Sequence, residues 1–197
     1  MKLRFWLACF LLIYCRIGIA QVNLIQNGSF EELVSCPDIS PILSTIQFAQ
    51  AWSNPVSSSV NSYFSPDLFT SCNTEPSLSV PLNWYGFQIP SEGLNYAGIG
   101  LGGLGSNSRE FIQDSLMVEI VANCKYTISY DFSFGSSGSY RCSNLYFILS
   151  FNRLIIPDNE AITNGTYFQF DADSVTIISF TEILEGDTLY WLHHEKE

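Results

Sequence analysis

Charge is scarce in this chain. Only 14% of its 197 residues are Asp, Glu, Lys or Arg, against roughly a quarter in a typical soluble domain. The basic side is the thinner one, with 8 Lys and Arg against 19 Asp and Glu and a formal charge of −11. Such a surface repels phosphate backbones and argues against a nucleic-acid partner. It fits a soluble extracellular protein, or one that binds cations. Histidine is scarcer still. His193 and His194 are the only two, and both sit close to the last residue, Glu197. A hydrolytic triad needs a histidine held beside its nucleophile, so the pair reads as part of an unstructured polar tail. No C-x-x-C occurs, which disfavours a zinc ribbon or a thioredoxin-like site. No stretch carries the apolar period of an ordinary amphipathic helix. The exception to this sparseness is apolar content: 47% hydrophobic and 15% aromatic, enough to fill the core of one domain.

One uninterrupted apolar run stands out, Phe5 to Cys15, preceded by Lys2 and Arg4 and followed by Gly18-Ile19-Ala20. A basic start, a short apolar centre and small residues at the cleavage positions make a secretory leader. The run is too short to span a bilayer comfortably. We expect residues 1–20 to be removed, leaving a single domain over residues 21–197 and no membrane span. That loss takes Lys2, Arg4 and Arg16, so the basic count falls from 8 to 5 against 19 acidic residues, a charge of −14. The expected address is secreted, at the cell surface or in the outer envelope.

Four cysteines remain after the leader: Cys36, Cys72, Cys124 and Cys142. An even number in an exported chain favours disulfides, and four allow three pairings. Two local closures, Cys36–Cys72 and Cys124–Cys142, are the favoured set, and four free thiols are the alternative.

The remaining chain reads as strands and turns. Asn23 to Ile25 looks like a strand entry before a tight Asn27-Gly28 turn. Ile42 to Trp52 suits a strand or a single helical turn. Ser65-Pro66-Asp67 is a turn signal. Tyr96 to Leu101 reads as a Gly-rich strand, and Phe111 to Ile120 as a partly alternating one. From Tyr126 to Phe134, aromatic and β-branched residues alternate with Thr, Ser and Asp, the mark of a half-buried antiparallel strand. Asn144–Ile156, Tyr167–Phe170 and Val175–Phe180 add further strands. Many short strands between turn signals predict an all-β chain folded as a β-sandwich.

Candidate chemistry is sparse. Gly98-Ile99-Gly100-Leu101-Gly102-Gly103 has the spacing of a dinucleotide loop, but that loop must open a helix, and here more loop follows. Glu31, Glu32, Glu92, Glu110, Asp114 and Asp131 supply carboxylates for glycosidase-type chemistry, with no spacing that pairs any two. Glu31, just past a tight turn, is the candidate ligand for a structural calcium, which takes carboxylate and carbonyl oxygens. An exposed acidic pair is the alternative. Trp52, Tyr63, Trp84, Tyr85, Tyr96 and Tyr140 offer rings for sugar stacking. Most of them suit a core, and Tyr140, in a Gly-Ser loop, is the exposed candidate for ligand binding. Asn27-Gly28-Ser29 and Asn164-Gly165-Thr166 are N-glycosylation sequons.

The opening Asn23-Leu24-Ile25-Gln26-Asn27-Gly28-Ser29-Phe30-Glu31, with Ala51-Trp52 shortly after, resembles the start of galactose-binding-like, carbohydrate-binding-module jelly rolls. Ser35-Cys36-Pro37, Val80-Pro81-Leu82-Asn83, Tyr85-Gly86-Phe87-Gln88, Asn95-Tyr96-Ala97-Gly98 and Arg109-Glu110-Phe111-Ile112-Gln113 follow in an order similar to bacterial exported surface proteins of gliding-associated or OmpA-associated type. The resemblance implies a jelly-roll sandwich that binds or displays a glycan or cell-surface component, with a calcium near Glu31. It also implies closing strands beyond Asp187-Thr188-Leu189-Tyr190-Trp191, so the sandwich is expected to lack its last strands. A secreted carbohydrate-active hydrolase and a structural envelope component are the other readings.

Overall fold

A computed structural model gives the fold. It describes residues 22–37, 44–56, 65–100, 110–136, 145–156, 175–180 and 190–197. Among these, the regular elements are β1 (Asp67–Thr70), β2 (Leu82–Asn83), β3 (Gly86–Phe87), β4 (Asn95–Gly98), β5 (Ile128–Phe132), β6 (Leu145–Ser150), β7 (Val175–Phe180) and β8 (Leu192–Lys196), with 3-10 turns at Ile46–Phe48 and Pro76–Leu78. No α-helix is among them, so the chain is all-β as expected. No helix among the described residues is long and apolar enough to cross a membrane.

The strands pair antiparallel as β1–β4, β2–β3, β5–β8 and β6–β7. In chain order the pairs nest: β2–β3 lies within β1–β4, and β6–β7 within β5–β8. Each outer pair therefore joins segments far apart in sequence, and only tertiary contacts can hold it in register.

All four residues of β1 are buried, so this strand is covered on both faces. Leu68 and Phe69 have no exposed surface, like Ile46, Ala49 and Leu78. Each such large side chain contributes about 1.5–3 kcal/mol through burial. Phe69 meets Tyr85 edge-on at 5.7 Å and Tyr96 at 5.2 Å. A second, smaller cluster joins Val56, Ile156 and Phe111. Ile156 and Val56 meet through a parallel bridge.

β5 has the alternation its sequence predicts, with Ile128, Tyr130 and Phe132 half-buried and Ser129 and Asp131 exposed. Tyr130 packs on Phe147 of β6 at 5.0 Å, which brings the β5–β8 pair against the β6–β7 pair.

Three expectations need correction. Asn23 to Glu32 forms turns and no strand; Phe30 N–H donates to Asn27 O (3.1 Å), and Phe30 adopts φ 62°. Phe111 to Ile120 contributes one bridge, Gln113 with Ser53. There the Gln113 side chain stands in for a strand neighbour, donating to Leu154 O and accepting from Leu154 N–H, both at 3.1 Å. The His-His-Glu-Lys segment, expected as an unstructured tail, is β8. His194 stacks on its cross-strand partner Tyr130 at 5.2 Å, and His193 Nδ1 lies 2.8 Å from Asp131 Oδ1 on the other face.

Candidate functional site

Glu31 sits where the opening stretch meets β4, and its partners are backbone groups. Its Oε1 accepts the N–H of Leu94 and of Asn95, each at 2.9 Å. Asn95 in turn donates its side-chain amide to Phe30 O (3.2 Å). Gly93 turns there with φ +62°, and a Cβ on it would strike the Glu31 carboxyl. Glu31 thus acts as a side-chain acceptor for a turn that begins β4. Among the described residues, no group of three or more His, Cys, Asp or Glu converges to hold a metal ion.

Asn27 supplies the other half of this junction. It is 3% exposed. Its amide donates to Glu32 O (2.8 Å) and Gln50 O (3.0 Å), and its Oδ1 accepts Glu32 N–H (3.1 Å). The Trp52 indole N–H donates to Asn27 O (2.7 Å), and its ring packs on Phe30 at 4.9 Å. The sequon asparagine Asn27 is therefore spent inside the fold. The second sequon lies outside the described residues.

Cys36 and Cys72 are joined, with Cα atoms 6.0 Å apart. Cys124, expected in a second bridge, has a free and exposed thiol. Its expected partner Cys142 lies outside the described residues, as do Tyr140 and Tyr63.

The other candidate carboxylates do not form one group. Asp114 accepts the N–H of Gln26 (3.3 Å) and Ser115 (2.6 Å). Asp131 faces His193. Glu32 and Glu92 are exposed. Gly98 lies against the Phe69 and Tyr85 rings, and Gly100 donates its N–H to Glu110. These glycines are explained by packing and turn geometry.

One pairing that sequence reasoning missed does form. Asp67, read as part of a turn, opens β1 with 6% exposure. It lies close enough to Glu110 for their charges to interact. Burial, then Glu110, pushes its carboxyl up to about 8, while the Thr45 hydroxyl, donating at 3.4 Å, pulls weakly the other way. Burial raises Glu110 too, opposed by the N–H groups of Gly100 and Ser65. Burial raises the Tyr85 hydroxyl beside them, and both carboxylates add to that rise. The pair holds a proton at neutral pH. Thr45 also accepts Leu68 N–H at 2.7 Å, so the group is wired into the core strand. Nothing local in the sequence marks Asp67, because its partner Glu110 arrives from far along the chain.

The stacking candidates divide by burial. Tyr85 and Tyr96, half-buried, flank Phe69, Trp52 is half-buried on Phe30, and Trp84 is exposed at the tip of the β2–β3 hairpin. Comparison with family models, with curated proteins and with solved structures finds no match.

Proposed function

We propose that this chain is an exported, non-catalytic jelly-roll β-sandwich module for surface adhesion or carbohydrate binding. The observation that carries the reading is the junction around Asn27, Glu31, Trp52 and Asn95. The residues of the opening motif act there as one unit, tying a turn, a distant loop and β4 together by hydrogen bonds between side chains and backbone. A motif used this way belongs to a framework that displays loops. The nested antiparallel pairing supports a jelly-roll winding, in which strands from two Greek keys pair across the chain. The Cys36–Cys72 disulfide supports an oxidising compartment, in line with the leader-like residues 1–20.

A glycan array probed with the full chain, paired with a turnover assay on the glycans retained, tests the proposal. Binding without product release is the expected result. Release of product, abolished by changing one carboxylate, would instead establish a secreted hydrolase. Neither binding nor release would leave a structural envelope component.

A further inference from the structure

An Asn-Gly pair is prone to deamidation in a flexible chain. The glycine nitrogen attacks the asparagine side-chain carbonyl carbon, and glycine has no Cβ to obstruct the approach. The N–Cγ bond forms, the Cγ–Nδ2 bond breaks, and the amide leaves as ammonia with the glycine N–H proton. Water then opens the cyclic imide at either carbonyl, giving aspartate or isoaspartate. The reaction needs no oxidant, metal or cofactor. This chain has two such pairs, Asn27-Gly28 and Asn164-Gly165, and the first lies in the described residues.

In the folded chain both reacting groups at Asn27-Gly28 are pinned. The Asn27 amide donates to Glu32 O (2.8 Å) and Gln50 O (3.0 Å), and its Oδ1 accepts Glu32 N–H (3.1 Å). The peptide group that carries the Gly28 nitrogen is held through its carbonyl. Asn27 O accepts Phe30 N–H (3.1 Å) and the Trp52 indole N–H (2.7 Å). Turning the side chain onto Gly28 would break its three bonds at a residue only 3% exposed, where water cannot replace them. The product fails in the same place. A carboxylate at position 27 accepts Glu32 N–H but has no hydrogen for Glu32 O and Gln50 O. It also sets a buried negative charge against two carbonyl oxygens. Isoaspartate lengthens the backbone inside the turn that Phe30 N–H closes.

We propose that Asn27 is a deamidation site closed by folding: it converts only while the chain is unfolded, and conversion there bars return to the fold. Unfolding thereby becomes irreversible in proportion to its duration. The labile pair is separable from the fold. Gly28 is not in the left-handed region, and a Cβ on it would lie 3.5 Å from Ile25 Cγ2, an ordinary contact.

The test holds the full, oxidised chain, its free thiols alkylated, at mildly alkaline pH with and without urea. Samples are diluted to refold and separated by size exclusion, and peptide mass mapping reads positions 27 and 164 in each fraction. Conversion at Asn27 should be at least about tenfold slower without urea. Molecules converted at Asn27 should be confined to the fraction that fails to refold. Gly28→Ala should still refold after an incubation that disables wild type, while converting at Asn164 as wild type does. Asn27→Asp, which installs the carboxylate without any incubation, should refold poorly or melt well below wild type. Equal conversion at Asn27 with and without urea overturns the proposal. So does a chain converted at Asn27 that refolds with the wild-type melting temperature, or a Gly28→Ala chain that folds and then loses refolding at the wild-type rate. The sorting of wild-type fractions decides by itself if Gly28→Ala does not fold.

Discussion

Replacing Asp67 with asparagine should flatten the pH dependence of stability. The folded carboxyl ionises at about 8, against an ordinary value of 3.8, first because burial penalises its charged form and then because Glu110 adds negative charge. In the unfolded chain the group is already ionised above about pH 4. Between those limits the folded state holds a proton that the unfolded state lacks. Unfolding releases it, so stability falls as pH rises. The contribution of Asp67 is complete below about pH 4 and lost by about pH 8. About four pH units at ~1.4 kcal/mol per unit bound that loss at about 6 kcal/mol. Glu110, also raised by burial, adds a slope of the same sign. Asp67→Asn keeps an oxygen for the Thr45 hydroxyl and removes the titration. Urea unfolding at pH steps from about 5 to 9 would measure it. The wild-type midpoint should drop across that range, and the variant's should drop far less and lie higher above about pH 8. Parallel profiles would refute the reasoning, as would a wild type that gains stability between about pH 5 and 8.

Three further outcomes follow from the same geometry. Removing the Cys36–Cys72 bridge with paired serines should cost about 4 kcal/mol, since it closes a loop with a sequence separation of 36; thermal unfolding with and without reductant should show wild type converging on the variant. Asn27→Ala strips three backbone partners at once and should cost about 3 kcal/mol, with Trp52 emission shifting red as its indole site loosens. Gly93→Ala places a Cβ on the Glu31 carboxyl at φ +62°. It should destabilise by about 1–3 kcal/mol, and hydrogen exchange should quicken at the Leu94 and Asn95 amides.

Local pattern made several elements legible. The period-two run around Ile128–Phe132 is a half-buried strand, and Val175–Phe180 has the expected bounds. β-branched and aromatic residues flanked by turn residues suffice for that, because strand pleat and side-chain burial are local consequences of spacing. The motif from Asn27 to Glu31 was legible as important, but its role was not. The sequence offers Glu31 as a carboxylate beside a turn, and only the fold shows that the Leu94 and Asn95 N–H groups meet it. The opening strand was misread for a related reason: Asn27 side-chain bonds replace a ladder there, and such bonds compete with regular structure without changing apolar pattern.

What the sequence determined alone is the all-β class, the acidic and histidine-poor surface, and a cysteine set able to bridge. Tertiary structure decided the rest. It drew the His-rich end into β8 because Tyr130 and Asp131 offered His194 and His193 partners on opposite faces. It buried Asp67 beside Glu110. Each of these outcomes depends on which distant segment arrives alongside, and a polar or apolar side chain finds its lowest free energy only once that neighbour is in place.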